Sequence, residues 1–374
     1  MRKSVLSLTI LLLVNIGVTK AQYDNSAFFQ KMDIDTTDYS NLYLGVNTLL
    51  FNKNNEYSDN VADGYTLFGY QINPYLSYYP AKFVRIDLGV YAQQDFGNPE
   101  FSMIVPTFSA RLIHDKFSLQ FGNIAGNIHH RMIEPLYDFE NVLVNRPELG
   151  FQILYDGEKL WSDMWINWEK MLYSGDYDQE IVTGGSSSKF NITKNITIPV
   201  QLLINHQGGQ IDTNPNRART KSNFSIGVDY QKILSGFLRE FRMEYHFIAY
   251  KDFSSRKLSI FDDGYGWYLN AAVKAKINTT VMLSYWMGSE YIPIKGTPLY
   301  SSVSFKYKYP NNLEQERELL ILRFMSDYNI FEGMVLSSRF EPYINLRDGK
   351  FNFSMGLYLN YSPEFLLKSK IKAR

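Results

Sequence analysis

The sequence predicts a single antiparallel up-and-down transmembrane β-barrel, and three observations support this all-β fold class. Residues 351–361 alternate apolar with small polar side chains, which is typical of a strand that has one lipid-facing and one water-facing side. The same period of two recurs along the chain. Aromatic residues make up 16% of the sequence, as expected for aromatic girdles at two membrane interfaces. The third observation is an amino-terminal secretion signal.

Residues 1–21 have the three parts of a cleaved signal peptide. Two basic residues come first, an apolar core over residues 5–18 follows, and Thr19 and Ala21 supply the small residues before the cleavage site. We therefore expect Gln22 to start a mature chain that is exported to the outer membrane of a Gram-negative type of cell. An uncleaved anchor helix is the alternative, but the apolar run is shorter than the ~20 residues of a bilayer span.

Composition excludes several classes of protein. The chain has no cysteine, so lipoprotein anchors, disulfides and thiolate metal sites are excluded. Lys and Arg (38) balance Asp and Glu (38) without charge runs, so nothing indicates a nucleic-acid partner. No motif predicts a cofactor.

The polar face of the predicted strands carries charges. Charged side chains at successive inward positions cannot fill a dry core, because an unpaired buried charge costs several kcal/mol. A wide aqueous lumen would hydrate them, and a large soluble antiparallel sheet is the alternative. Besides the last strand, the clearest alternation covers residues 83–95, 224–231, 240–249, 265–276 and 299–309.

Short and long connections alternate, as in barrels with short periplasmic turns and longer outer loops. A direct count gives seventeen strands, including one over residues 179–187. Because single-chain bacterial barrels use even numbers, we predict about sixteen strands, with eighteen as the nearest alternative and both termini in the periplasm. The predicted turns are residues 80–82, 114–116, 156–159, 276–279 and 347–350, and the predicted outer loops are 53–63, 126–147, 207–220, 252–263 and 290–298.

The domain organisation follows from these patterns. We predict a polar leader over residues 22–40, the barrel over 41–361 and a basic tail over 362–374. The leader is too short to form a plug domain of the kind that precedes TonB-dependent transporter barrels.

The connection at residues 126–147 is the segment with the strongest indications of a functional site. Its placement after the fifth predicted strand resembles that of the loop that folds inward in general porins, and this resemblance implies a pore constriction. A solvated surface loop is the alternative, and a catalytic or metal site is less favoured because adjacent histidines rarely share one ion. The candidate constriction residues are His129, His130, Arg131, Glu134, Asp138 and Glu140.

Opposed charges across such a constriction would set up a transverse field that orients polar solutes. We expect the acidic side chains of the loop to face Arg85, Arg111 and Arg242 on the wall. Deletion of residues 128–140 should then raise conductance. The candidate lumen-wall charges are Arg85, Asp87, Arg111, Arg242 and Glu244.

The segment His206-Gln207-Gly208 resembles the active-site segment of outer-membrane phospholipase A and of lipid A deacylases. Those enzymes place a serine two residues after a histidine at a strand end on the outer barrel wall. Here Gly208 occupies that position and offers no nucleophile. The sequence therefore predicts that the protein is not an enzyme.

The leading functional hypothesis is a porin-like channel for passive diffusion of small polar solutes. A non-conducting barrel that serves as a structural or assembly partner is the first alternative, and a lipid-modifying hydrolase is the second. The expected partners are outer-membrane lipid, including lipopolysaccharide, and small polar solutes, while a homo-oligomer or an accessory protein stays open. Neither a cofactor nor a metal is expected.

Overall fold

The computed structural model describes residues 25–30, 32, 34–209, 211, 213–310 and 312–369. The predicted signal peptide, residues 1–21, lies outside this part of the chain. In the described residues, no helix is long and apolar enough to span a membrane.

Antiparallel strands form most of the structure. The described helical segments are short, namely α1 (Asn141–Val144) and 3-10 turns at Ser26–Phe28, Thr36–Asp38, Asn127–His130 and Pro298–Tyr300. The strands are β1 (Leu42–Glu56), β2 (Tyr65–Ala81), β3 (Val84–Asp95), β4 (Met103–His114), β5 (Phe117–Asn123), β6 (Leu149–Asp156), β7 (Leu160–Lys170), β8 (Ile181–Asn191), β9 (Ile196–Gln207), β10 (Arg219–Ile233), β11 (Leu238–Asp252), β12 (Asp263–Ala275), β13 (Thr279–Ser289), β14 (Glu316–Phe331), β15 (Met334–Asn345), β16 (Phe351–Tyr361) and β17 (Glu364–Lys368).

The strands close into a ring of sixteen, which confirms the predicted fold class. Each strand from β1 to β16 pairs with its sequence neighbours, and β1 also pairs with β16 to close the barrel. The short strand β17 lies in the predicted basic tail and is not counted among the sixteen strands of the ring. It continues the edge of β16 and pairs with residues 42–45 of β1.

The burial pattern of β16 shows which side of the strand faces lipid. Its polar residues Asn352 and Ser354 are 1% and 4% exposed, whereas Met355 and Leu357 are 46% and 53% exposed. The apolar side therefore faces outward and the polar side faces the lumen, as the alternation predicts.

The predicted strand at residues 299–309 is wrong. Residues 290–315 form one long connection between β13 and β14, in which the buried side chains of Leu299 and Tyr300 point into the barrel. Because the chain has one strand fewer here than predicted, every later strand crosses the membrane in the direction opposite to the predicted one. The turn at 347–350, predicted to be periplasmic, therefore lies at the end that carries the long loops, and β1 starts where β16 ends.

The lumen is filled by protein rather than by a wide aqueous channel. Residues 25–30 and 32 lie in the lumen near the end that carries the short turns, while residues 124–148 and 291–304 fold in from the other end. Phe28, Leu136, Leu143, Tyr291 and Tyr300 are all fully buried in this filling. Many of the inward charges form ion pairs with one another or with this filling.

Candidate functional site

Residues 124–148 lie inside the barrel. Met132, Ile133 and Leu136 pack in one cluster with side chains of the wall, including Trp165 and Leu203. The side-chain amide of Gln201 on β9 donates to the carbonyl of Arg131 at 2.9 Å.

His130 sits at the centre of a buried charged network within this loop. Its Nδ1 lies 2.8 Å from a carboxylate oxygen of Asp163, and its Nε2 lies 3.2 Å from one of Glu148. The ring stacks on Trp165 at 3.5 Å between centroids. Burial opposes protonation, but the attraction of Asp163 and Glu148 outweighs it and raises the pKa of His130 to about 9.

His129 has the opposite environment. Its Nε2 accepts a hydrogen bond of 3.2 Å from the backbone N–H of Gln30, and its ring stacks on Phe29. Burial, together with the nearby cation of Arg146, holds the pKa of His129 well below its usual range. The two adjacent histidines therefore differ in charge and partners. The described residues include no group of three or more His, Asp or Glu side chains that could hold a metal ion.

The protonation of His130 predicts a pH-dependent stability. Because its folded-state pKa is about 9 and the unfolded value is about 6.5, its stabilising contribution is complete below about pH 6.5 and is lost as pH rises through about 9. The loss should be of the order of 3 kcal/mol. Guanidinium unfolding in detergent micelles at pH 6 and pH 9.5 measures it. His130→Gln should abolish this difference, and an equal pH dependence in that variant would contradict the assignment.

Two of the three predicted acidic residues of the loop pair with cations of the wall. Glu134 accepts from Arg323 at 2.7 Å and from the hydroxyl of Tyr300 at 2.8 Å. Glu140 binds Lys53 at 2.6 Å. Asp138 is buried beside Glu140, and burial followed by that like charge raises its pKa.

The expected opposition of these acids to Arg85, Arg111 and Arg242 is wrong, because those cations have other partners. Arg85 binds Asp87 at 2.9 Å and Glu364 at 3.1 Å. Arg242 binds Glu240 at 2.5 Å and lies 3.9 Å from Glu244. Arg111 donates to Ser118 at 2.8 Å and to the carbonyl of Met32 at 2.5 Å. The nearest acids lie two residues away along the same strand face, and they engage Arg85 and Arg242 locally.

Arg131 completes the predicted set. Its guanidinium lies over the ring of Trp161 at 4.2 Å, a cation–π contact within the lumen. The six predicted constriction residues thus all lie inside the barrel, each in contact with other residues of the loop, the leader or the wall.

A second cluster lies on the opposite, lipid-facing side of the wall. His206 on β9 and Thr220 on β10 are directly paired across the two strands. Nδ1 of His206 lies 2.9 Å from the hydroxyl oxygen of Thr220. Leu202 and Ile204, which share the face of His206, are 37% and 40% exposed. The pair therefore faces outward, next to the long loops that mark the extracellular end.

Next to this pair, small outward-facing side chains of β8 lie between larger ones of its neighbours, and we call this strip of the wall the groove. Its floor is β8, whose outward positions hold Gly184, Ser186 and Ser188. A Cβ atom on Gly184 would meet only ordinary contacts, so packing does not require the glycine. Exposed apolar side chains of β7 and β9 form the two sides of the groove, namely Met164, Ile166, Leu202 and Ile204.

A serine, a histidine and an aspartate also meet inside the barrel. His246 lies 3.4 Å from the hydroxyl of Ser225 and 3.3 Å from a carboxylate oxygen of Asp229. All three side chains are 3% exposed or less and face the lumen. They are therefore out of reach of a membrane lipid.

Sequence comparison identifies the family. A family model described as "Lipid A 3'-O-deacylase-type" matches residues 34–370, which is nearly the whole chain. The chain belongs to this family. No curated protein sequence matches it significantly.

The similar solved structures are outer-membrane porins, and they show the fold alone because sequence identity is low. OprD of Pseudomonas aeruginosa aligns with a TM-score of 0.52 and 10% identity, over 90% of this chain and 98% of that one. A loop-deletion mutant of OmpT from Vibrio cholerae gives 0.52 and 9%, over 87% and 100%. The anion-selective porin of Comamonas acidovorans gives 0.50 and 9%, over 86% and 98%. The chain therefore has the fold of a porin-type outer-membrane barrel.

Family membership overturns one prediction from the sequence. The expectation that the protein is not an enzyme is wrong, because the family is a deacylase type and spans the barrel. The expectation rested on the missing hydroxyl at Gly208. A hydroxyl does contact His206, but it comes from Thr220 on the next strand, and a search along one strand cannot find it.

Proposed function

We propose that this barrel is an esterase that removes an acyl chain from a lipid of the outer leaflet. The observation that carries the proposal is the 2.9 Å contact between His206 and Thr220 on the lipid-facing wall. A hydroxyl within hydrogen-bonding reach of an imidazole is the arrangement of a nucleophile and its base. The deacylase-type family supports an acylated glycolipid such as lipid A as the substrate.

The chemistry follows from the two side chains. The hydroxyl oxygen of Thr220 attacks the ester carbonyl while its proton passes to Nδ1 of His206. The bond between the carbonyl carbon and the ester oxygen then breaks, and the lipid alcohol leaves with the proton from the imidazole. Water, deprotonated by His206, hydrolyses the acyl-threonine and releases a fatty acid.

The groove on β8 offers a place for the acyl chain. The pair lies near the extracellular interface, where ester groups of the outer leaflet are found, and the groove continues from it toward the hydrocarbon region. The test of the proposal is release of fatty acid from lipid A, or from a phospholipid, by the purified barrel in detergent micelles, followed by mass spectrometry.

Filling the groove should change chain-length preference. We expect Gly184→Leu with Ser186→Leu to lower kcat/KM for long-chain esters by about tenfold, because several buried methylene groups lose their contacts. Short-chain esters should be unaffected. Ser338→Leu, which adds the same side chain at an exposed outward position of β15, is the control. An equal loss for both chain lengths would show that the groove does not hold the acyl chain.

Passive diffusion of small polar solutes is the second candidate function. The porin fold and the polar lumen wall support it. For solutes to pass, residues 25–30 of the leader would have to leave the lumen, since Phe28 packs against residues 124–148 and the wall.

A further inference from the structure

Arg146 is a partly buried cation without an acidic partner among the described residues. It follows α1 and lies inside the barrel. One of its terminal nitrogens, Nη2, donates to the carbonyl of Phe28 at 2.9 Å, whereas Nη1 is buried and makes no hydrogen bond. Burial lowers the pKa of Arg146 to about 10, and only Tyr91 acts in the opposite direction. A guanidinium in such a place is costly unless an anion accompanies it.

The side chain borders a cavity of about 70 Å³ between the leader and strands β1 to β5. At about 30 Å³ per water, this space holds about two water molecules or one small ion of similar size. Asn47 also lines the cavity, and its Oδ1 is buried without a hydrogen-bond partner. Other polar side chains on the lining are Gln30, Asn73, Thr107 and Ser109.

The carboxylates on the same lining are already engaged. Asp87 binds Arg85 at 2.9 Å. Glu148 binds His130 and accepts from the hydroxyl of Tyr137 at 2.7 Å. Neither carboxylate is within ion-pair distance of Arg146. The cavity is therefore lined by the cation of Arg146, which has no acidic partner, by its Nη1 as a donor without an acceptor, and by Oδ1 of Asn47 as an acceptor without a donor.

We propose that this cavity is a binding site for a small oxyanion, a carboxylate or a phosphate group, held by Arg146 and Asn47. A planar guanidinium matches the oxygens of either group, and a protonated oxygen such as that of hydrogen phosphate can donate to Asn47. The site lies in the lumen, apart from the lipid-facing pair, and does not depend on the proposed esterase activity.

Ligand-dependent stabilisation of the full-length barrel in detergent tests the proposal. Acetate and inorganic phosphate are added separately at millimolar concentrations, with chloride at equal ionic strength as the reference. We expect saturable stabilisation by at least one of the two oxyanions, and the stronger one identifies the preferred group. No saturable effect of either beyond that of chloride would overturn the proposal, whatever the variants do.

Two variants localise the effect. Arg146→Gln should abolish the saturable stabilisation, and Asn47→Asp should abolish it as well, because a carboxylate in the cavity repels the anion and neutralises Arg146. Arg242→Gln is the matched control, since that lumen cation already binds Glu240 and is absent from the cavity lining. Binding that persists in both cavity variants, or is lost in the control, would place the anion elsewhere.

Discussion

His206→Asn should reduce deacylation by roughly 10²- to 10⁴-fold, the usual contribution of a general base. The variant keeps a polar group at the strand end but removes the nitrogen that accepts the proton of Thr220. The rate of fatty-acid release from lipid A measures this effect. Folding is checked by the heat-dependent mobility of the barrel on electrophoresis.

Two substitutions of Thr220 distinguish a role of its hydroxyl as the nucleophile from a role of its side chain in packing. Thr220→Val preserves shape without the hydroxyl and should lose activity to a similar degree, whereas Thr220→Ser should retain a substantial part of it. His246→Asn is the matched control, because this histidine also contacts a hydroxyl but faces the lumen. Full activity in His206→Asn, or a larger loss in His246→Asn, would show that the lipid-facing pair is not the active site.

Deletion of residues 25–35 should open the lumen to ions. The leader is held by the side chain of Phe28, whose ring lies 5.0 Å from that of Phe139 and 5.2 Å from that of Tyr358. The side chain of Asn360 also donates to the carbonyl of Ala27 at 2.5 Å. Removal of these contacts leaves the periplasmic half of the lumen without its filling. Single-channel recordings in planar bilayers should then show a clear conductance step that the intact protein lacks.

Single substitutions grade this effect. Phe28→Ala should produce brief openings, since it removes the aromatic contact but keeps the leader. Leu366→Ala, at an exposed position of β17, should leave the recordings unchanged. If the deletion variant stays closed, residues 124–148 and 290–315 seal the barrel by themselves. The diffusion candidate would then fail, while the esterase proposal would stand.

The barrel could be predicted because one physical pattern repeats in every strand. Lipid on one side and polar protein on the other impose a period of two, which is visible in residues 84–95 and 351–361 without any knowledge of pairing. At residues 299–309 the same pattern predicts a strand that the structure does not contain. There the alternation of Leu299 and Val303 with serines is real, but the chain is folded into the lumen, where Arg317 donates to the carbonyl of Leu299 at 2.6 Å. Periodicity alone does not distinguish these two outcomes.

The candidate sites needed pairing information that a single sequence does not contain. Alternation shows that His206 faces outward, but only the register of β9 and β10 places Thr220 beside it. Likewise, the acidic character of Glu134 and Glu140 was visible, whereas their partners Arg323 and Lys53 come from strands far away in the chain. Histidine at a strand end is a usable signal, but the hydroxyl that contacts it lies on the neighbouring strand.

The location of Phe28 inside the closed ring constrains how the molecule can be assembled and handled. The pairing of β1 with β16 closes the barrel, so the leader cannot enter the lumen from the side. It must therefore reach its position around Phe28 either before these two strands pair or through the periplasmic opening. A bulky folded domain fused directly ahead of residue 25 would obstruct both routes. Reporter and purification tags therefore belong in the extracellular loop at 253–262, where Phe253 and Leu258 are exposed, and not at the amino end.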